Sequence, residues 1–245
     1  TLSALAEAEE KGAVIAIIAG GGKLEEAAHA RNYPFIKIPK AEQPRYAVFY
    51  NLVALLTLLQ SAGLADNIDI SSQLTRAANF LKQEVQKWVP TVPTENNAAK
   101  KLAMELAGKS PVIYGGPLMA PVAYKWKISF NENAKNIAWW NELPEFNHNE
   151  FIGWSSHPVD KPYGVIDLRS KLEHPRVQKR FEVSERLLSG MRPAPHVVEV
   201  QGDTLIEQIV WAVTYGDFVT IYLALLNNIN PAPVELVEKF KTELG

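Results

Sequence analysis

The chain contains no cysteine among its 245 residues, which excludes disulfide bonds, thiolate nucleophiles and thiolate metal sites together. It has no strong excess of either charge, because 25 basic and 27 acidic residues give a formal net charge of −2. Binding to nucleic acid or to a membrane surface therefore has little electrostatic support. No stretch approaches about 18 consecutive apolar residues, and the N-terminus lacks a basic flank followed by an apolar core. We expect a cytoplasmic protein with neither a nucleic-acid nor a membrane partner.

The first ninety residues alternate between helical and strand patterns, and 47% of the whole chain is apolar, enough for a sizeable core. The predicted helices cover 1–11, 24–31, 45–62 and 73–89, and the predicted strands cover 14–19 and 35–38. The strand at 14–19 is apolar and β-branched on both faces, as a buried parallel strand requires. Two strands are few for a parallel sheet.

The remaining residues show a fuller alternation after a proline- and threonine-rich stretch at 90–93. The predicted helices are 96–107, 118–130, 175–188, 204–226 and 233–244, and the predicted strands are 111–114, 164–168 and 196–200. Asp203 is the expected N-cap of the long helix at 204–226. The pattern predicts the α/β class, with two doubly wound parallel-sheet (αβα) domains at 1–90 and 94–245.

The densest group of polar and titratable side chains lies between residues 130 and 150. Glu132, His148 and Glu150 are its titratable members. The amides beside them are Asn131, Asn133, Asn147 and Asn149. Amides next to an acid and an imidazole orient those groups and shift their protonation equilibria, as general acid–base catalysis requires. The structural alternative is a polar loop with capping asparagines.

A metal site built from His148, Glu150 and His157 is a further alternative. These residues lack the i, i+4 or tight histidine spacing that metal sites use. We therefore predict no metal and no other cofactor.

Two segments of this region resemble the bifunctional phosphoglucose/phosphomannose isomerases of the sugar isomerase (SIS) domain superfamily. They are Asn131–Lys135 and Leu143–Glu150. Other matching stretches are Gln43–Arg45, Val112–Gly116, Lys125–Lys127, Gly153–Trp154 and the C-terminal helix. The resemblance runs along the whole chain. It implies two SIS domains and an enzyme that interconverts glucose 6-phosphate, and mannose 6-phosphate, with fructose 6-phosphate through an enediol.

The resemblance also implies roles for four titratable residues. Glu132 matches the base that moves a proton between C2 and C1, and His148 matches the histidine that opens the sugar ring. Lys241 matches a lysine that polarises sugar oxygens, and Arg45 an arginine that stabilises the enediolate. Lys239 points elsewhere on the same helix, so only one of the two lysines can reach the site. From the residues alone, the alternatives are a capping carboxylate, a core histidine, a surface lysine and a solvated arginine at a helix start.

Four further residues are implied to bind substrate. They are Gly115, Gly116, Asn131 and Asn147. The glycines follow a predicted strand, where the family lets the sugar approach the backbone.

In the family, the histidine that matches His148 reaches the active site of the neighbouring subunit, which implies a homodimer with shared active sites. Several aromatic side chains surround it and suit a buried interface. They are Trp139, Trp140, Phe146, Phe151 and Trp154.

The family begins well upstream of Thr1, with a strand and a Ser-x-Ser-Gly-Asn-Thr loop that holds the substrate phosphate at a helix N-terminus. We therefore expect the chain to lack the start of its first domain and to be less active alone than with that loop. The alternative function is a non-catalytic sugar-phosphate-binding or dimerisation module, inactive through loss of the phosphate loop.

Overall fold

The structure is a computed structural model that describes residues 1–155 and 162–244. The chain divides into two compact units, Thr1–Thr75 and Arg76–Gly245. The division falls inside a helix at Ile70–Val85, and the stretch at 90–93 lies within the second unit. The domain boundaries inferred from the sequence stay a prediction.

The first unit is a small parallel βαβ arrangement. Its helices are α1 (Leu2–Glu10), α2 (Lys23–Arg31) and α3 (Val48–Ser61), and its strands are β1 (Ile17–Ala19) and β2 (Phe35–Lys37). β1 and β2 pair in parallel, with Ile17 opposite Phe35. β1 is shorter than predicted, because its pairing with β2 begins only at Ile17, while Val14 is fully exposed. The predicted helix at 45–62 is a 3-10 turn, Pro44–Tyr46, followed by α3.

The second unit carries a four-stranded parallel sheet. Its strands are β3 (Ser110–Gly115), β4 (Trp139–Glu142), β5 (Tyr163–Arg169) and β6 (His196–Glu199). The helix across the division is α4 (Ile70–Val85), and those that follow are α5 (Ala98–Leu106), α6 (Ala120–Glu132), α7 (Glu145–His148), α8 (Glu150–Gly153), α9 (Pro175–Leu187), α10 (Leu205–Leu226) and α11 (Glu235–Leu244). The strand order is β4-β3-β5-β6, so the winding direction reverses between β3 and β5. This is the doubly wound α/β class that the sequence predicts.

The core of this unit forms around β3 and β5, whose central residues are mostly apolar on both faces. Ile113, Val165 and Ile166 are completely or almost completely buried there, as expected for central parallel strands covered by helices. α10 packs against α5 and α6. Within the described residues α10 is the one helix long and apolar enough to span a membrane, with a mean hydropathy of 1.7, and 61% of that window is buried inside the protein. A buried core helix has the same composition.

One element is missed and one local prediction is wrong. The sequence does not predict β4, because its four residues, which include two exposed tryptophans, show no alternation of apolar and polar side chains. The N-cap of α10 is Thr204 rather than Asp203. The Thr204 hydroxyl accepts the amide of Glu207 at 3.3 Å, and the Glu207 carboxylate accepts the amide of Thr204 at 3.1 Å. The exposed Asp203 carboxylate instead lies 2.8 Å from Lys171 Nζ.

Candidate active site

Glu132 is the last residue of α6 and is half-buried. The chain around it is fixed on both sides of the helix end. Asn133 is fully buried and donates to the Thr220 hydroxyl at 2.9 Å, and Lys135 donates through Nζ to the Glu132 carbonyl oxygen at 2.6 Å. Trp126 and Phe130 bury the inner face of α6. The carboxylate therefore stands on a rigid support, as a catalytic base requires.

A cleft of about 660 Å³ opens beside Glu132. Its polar side includes Asn131, whose amide donates to the Asn136 carbonyl oxygen at 2.9 Å. Its apolar side chains are Ile137, Ile229, Pro233, Val234, Leu236 and Val237. A carboxylate at the edge of such a cleft has fewer waters around it than one on an open surface, which suits proton abstraction.

His148 ends the short helix α7, and its imidazole is exposed. The same helix is held to the unit by Phe146, whose ring lies 4.4 Å from that of Tyr114 and is buried. Asn147 donates to the Ser184 hydroxyl at 2.8 Å and accepts from Arg180 at 3.2 Å. The helix is thus anchored while the imidazole faces outward.

A partly buried hydrogen-bond network supports the turn after His148. The Tyr114 hydroxyl donates to Oε1 of Glu150, and Asn141 donates to Oε2 of Glu150 at 2.7 Å. Trp154 donates through Nε1 to the Tyr114 oxygen at 3.2 Å. Burial and the neighbouring Glu150 carboxylate raise the pKa of Tyr114 far above its usual value, so the phenol remains a donor. One signal for this network is present in the sequence, since a tyrosine in a buried strand needs a hydrogen-bond partner.

His148 is not among the residues that line the cleft beside Glu132. Glu132 lines the cleft at the end of α6. Asn147, next to His148, lines a separate groove of about 370 Å³ with Arg176, Lys179 and Arg180 of α9.

Lys241 lies on α11, exposed, with Nζ 2.7 Å from Oε1 of Glu238. The Glu132 cleft reaches α11 only at residues 235–237, so Lys241 is not among its lining residues. Nζ of Lys239 lies 3.9 Å from Oε1 of Glu243, and Lys239 does not line that cleft either. Which of the two lysines serves the site stays a prediction.

Arg45 belongs to the first unit, on the 3-10 turn at Pro44–Tyr46. It is buried, which excludes the solvated-arginine alternative. Its guanidinium donates to Oε1 of Gln43 at 3.3 Å and lies 5.0 Å from the centre of the Tyr46 ring.

Gly115 and Gly116 are buried against protein atoms. A Cβ at Gly115 would lie 2.9 Å from the Met119 carbonyl group, and one at Gly116 would lie 2.5 Å from Oε1 of Glu173. Packing alone therefore requires both glycines. Their role in binding substrate stays a prediction.

The aromatic residues around His148 divide into two groups. Phe146 and Trp154 belong to the unit's own core, so their assignment to an interface is wrong. Phe151 packs against that core. Trp139 and Trp140 are exposed on the edge strand β4.

Residues 1–155 and 162–244 contain no group of three or more side chains able to hold a metal ion. His157, a member of the metal alternative, lies outside the described residues.

Comparison with known proteins shows which proteins this chain is similar to. Residues 95–244 match the family model of the bacterial phospho-glucose isomerase C-terminal SIS domain. The bifunctional phosphoglucose/phosphomannose isomerase of Caldicellulosiruptor bescii is 32% identical over the whole chain, which covers 72% of that protein. The D-glucosamine-6-phosphate 4-epimerase of Sulfolobus acidocaldarius is 32% identical over 71% of the chain and 53% of its own length. A glucose-6-phosphate isomerase-like protein of Thermus thermophilus has the same fold, with a TM-score of 0.65 and 22% identity over 90% of this chain and 74% of its own.

Proposed function

Because this chain belongs to the bifunctional phosphoglucose/phosphomannose isomerase family, we propose that it interconverts glucose 6-phosphate and mannose 6-phosphate with fructose 6-phosphate. The observation that carries the proposal is the half-buried Glu132 at the rigid end of α6, facing a cleft with an apolar wall. The family itself consists of sugar-phosphate isomerases, so the finer claims concern the substrates and the residues that act on them.

In the proposed reaction, Glu132 removes the proton from C2 of the open-chain aldose and returns it to C1. The intermediate is an enediol. Glucose and mannose 6-phosphates differ only at C2, so they give the same enediol and one base serves both. A positioned carboxylate base contributes about 10²- to 10⁴-fold to such a proton transfer.

His148 is the proposed group that opens the sugar ring, since an imidazole can both donate and accept a proton near neutral pH. Arg45 is proposed to stabilise the enediolate by its fixed positive charge. Lys241 is proposed to polarise the sugar oxygens, which requires it to leave its exposed pair with Glu238.

We propose that the active protein is a cytoplasmic homodimer with shared active sites. Two observations support sharing. His148 is exposed and does not line the Glu132 cleft. The edge strand β4 exposes Trp139 and Trp140, and large exposed aromatics are typical of interface centres.

The test is an isomerase assay on the complete gene product that contains residues 1–245. We expect fructose 6-phosphate to form from both glucose 6-phosphate and mannose 6-phosphate. A folded protein that acts on neither sugar contradicts the proposal and favours a non-catalytic binding module.

The epimerase among the relatives makes glucosamine 6-phosphate a necessary third substrate in that assay. Inversion at C4 of this sugar, without C1–C2 isomerisation of the other two, would replace the proposed reaction.

A further inference from the structure

The ligand position of a doubly wound sheet lies outside the carboxyl ends of its strands, where the winding direction reverses. In the second unit this position is the crevice after β3 and β5. The loop that follows β3, residues 116–119, leads there into the N-terminus of α6. An anionic ligand of this unit would be expected at that place, because free backbone amides and the helix dipole favour negative charge there.

A side chain of the protein already occupies this place. Glu173 comes from the loop after β5 and is 4% exposed. Its Oε1 accepts the amide of Leu118 at 2.7 Å, and the amide of Met119 also stabilises the carboxylate. The acid is therefore bound as an external anion would be.

Both sides of the contact are built to hold the carboxylate. A Cβ at position 116 would overlap Oε1 and Cδ of Glu173, at 2.5 and 2.6 Å, so the glycine leaves the space that the acid fills. The backbone of Glu173 is fixed as well. Its carbonyl oxygen accepts from Gln178 Nε2 at 2.8 Å, and its amide donates to the Ser170 carbonyl oxygen at 3.3 Å.

The charge of Glu173 is compensated by the backbone amides. Within the part of the chain that the structure describes, no basic side chain forms an ion pair with it. Burial raises the pKa of its carboxyl group, while the amides of Leu118 and Met119 act in the opposite direction. A buried acid in contact with a helix N-terminus and without a basic partner occupies the position of an anionic ligand.

We propose that Glu173 is an internal anion that fills the ligand position of the second unit and prevents phosphate from binding there. This residue then determines where the phosphate group of a sugar phosphate can be held, since the crevice after β3 and β5 is closed to it. The proposal concerns one crevice and its amides, and it holds whether or not the chain isomerises sugars.

The test is NMR of the ¹⁵N-labelled 245-residue chain titrated with inorganic phosphate at constant ionic strength. We expect the amide signals of Leu118 and Met119 to stay unchanged in the wild type and in Glu173→Gln, whose side chain still fills the crevice. In Glu173→Ala they should shift saturably, and phosphate should raise Tm of this variant. Glu182→Ala removes an exposed acid of α9 and should behave as the wild type.

A saturable phosphate shift at these two amides in the wild type would overturn the proposal, as would a folded Glu173→Ala chain that shows none. If the alanine variant does not fold, NMR of the wild type and of Glu173→Gln at decreasing pH tests the proposal instead. Protonation of Glu173 should shift the amides of Leu118 and Met119 in the wild type, and Glu173→Gln should abolish that shift. If the amides of Leu118 and Met119 titrate equally in the wild type and in Glu173→Gln, the Glu173 carboxylate does not bind them and the proposal is wrong.

Discussion

Tyr114 and Glu150 show how single side chains hold the turn that carries His148. The Glu150 carboxylate accepts from a buried phenol and from Asn141, while His148 two residues earlier is exposed. Glu150 is half-buried, and a carboxylate removed in part from water keeps that desolvation cost without compensation when it loses a donor. The position of the turn therefore depends on groups in β3 and β4.

Replacing Tyr114 with Phe removes the hydroxyl and keeps the ring that packs on Phe146. We expect the free energy of unfolding to fall by about 1–3 kcal/mol, since Glu150 loses a donor. Urea denaturation measures this change. Tyr124→Phe is the control, because Tyr124 is exposed and lies beside Trp140, and a surface change of this kind should stay within about 0.5 kcal/mol. Equal urea midpoints for Tyr114→Phe and Tyr124→Phe would contradict a stabilising role of the Tyr114 hydroxyl.

The sequence marks Glu132 and His148 as candidates, because both stand in motifs with unusual composition, and their roles stay predictions. It did not reveal Tyr114 and Asn141 as partners of Glu150, since these contacts join residues that are distant along the chain. The sequence also could not predict which surface the Lys241 side chain faces. A terminal helix shows which face a residue occupies, but it does not show which surface that face contacts.

At the scale of elements, α10 shows most directly how a sequence pattern stabilises the fold. The capping box of Thr204 and Glu207 fixes its first turn, and 61% of its apolar window is buried. Glu207 is itself buried, and its Oε1 lies 2.6 Å from Nε of Arg76. Burial raises the pKa of Glu207, but the amides of Asp203 and Thr204 and the guanidinium of Arg76 outweigh it, so its pKa lies below the ordinary value.

A carboxyl group with a lowered folded-state pKa stabilises the protein above its unfolded-state pKa of about 4.3. That stabilisation is lost as pH falls through the folded-state pKa. We therefore expect Glu207→Gln to be less stable than the wild type at pH 7, with the difference shrinking below about pH 4. Urea denaturation at several pH values measures it. Glu243→Gln on α11, an exposed position, is the control, and a difference for Glu207→Gln that does not change with pH would contradict the account.

Elements with strong periodicity were predictable, and short elements were not. β3, β5 and α10 follow from continuous apolar runs or long helical patterns within the second unit. β4, α7 and α8 contain four residues each, too few for a period to be recognised. The prediction of Asp203 as the N-cap is wrong because Asp203 and Thr204 are both good N-cap residues. Which of them caps α10 depends on the reciprocal bond from Glu207 and on the ion pair of Asp203 with Lys171.

At the scale of the whole molecule, the proposed dimer explains why His148, the proposed ring-opening group, does not line the cleft beside Glu132, the proposed base, in one chain. In a two-fold symmetric dimer, His148 of each chain serves the Glu132 of the other. Each site then needs one group from each subunit.

This arrangement predicts complementation between two inactive variants of the complete gene product. Glu132→Gln and His148→Ala should each be nearly inactive alone. After mixing under conditions where subunits exchange, activity should return to at most about a quarter of the wild-type level. Half of the randomly paired dimers are then heterodimers, and one of their two sites keeps both groups. Sedimentation that shows only monomers, or mixing that restores nothing despite subunit exchange, would contradict shared sites.

The central claim is that Glu132 transfers the proton between C2 and C1. Its most direct test is the exchange of the C2 hydrogen of glucose 6-phosphate with deuterated solvent, followed by NMR, in the complete gene product. We expect exchange with the wild type and with Glu235→Gln, which changes another acid lining the same cleft. With Glu132→Gln we expect exchange to fall by about 10²- to 10⁴-fold, while the Kd of the sugar phosphate stays nearly unchanged. Undiminished exchange in Glu132→Gln would contradict the account and move the base to Glu145 or Glu150.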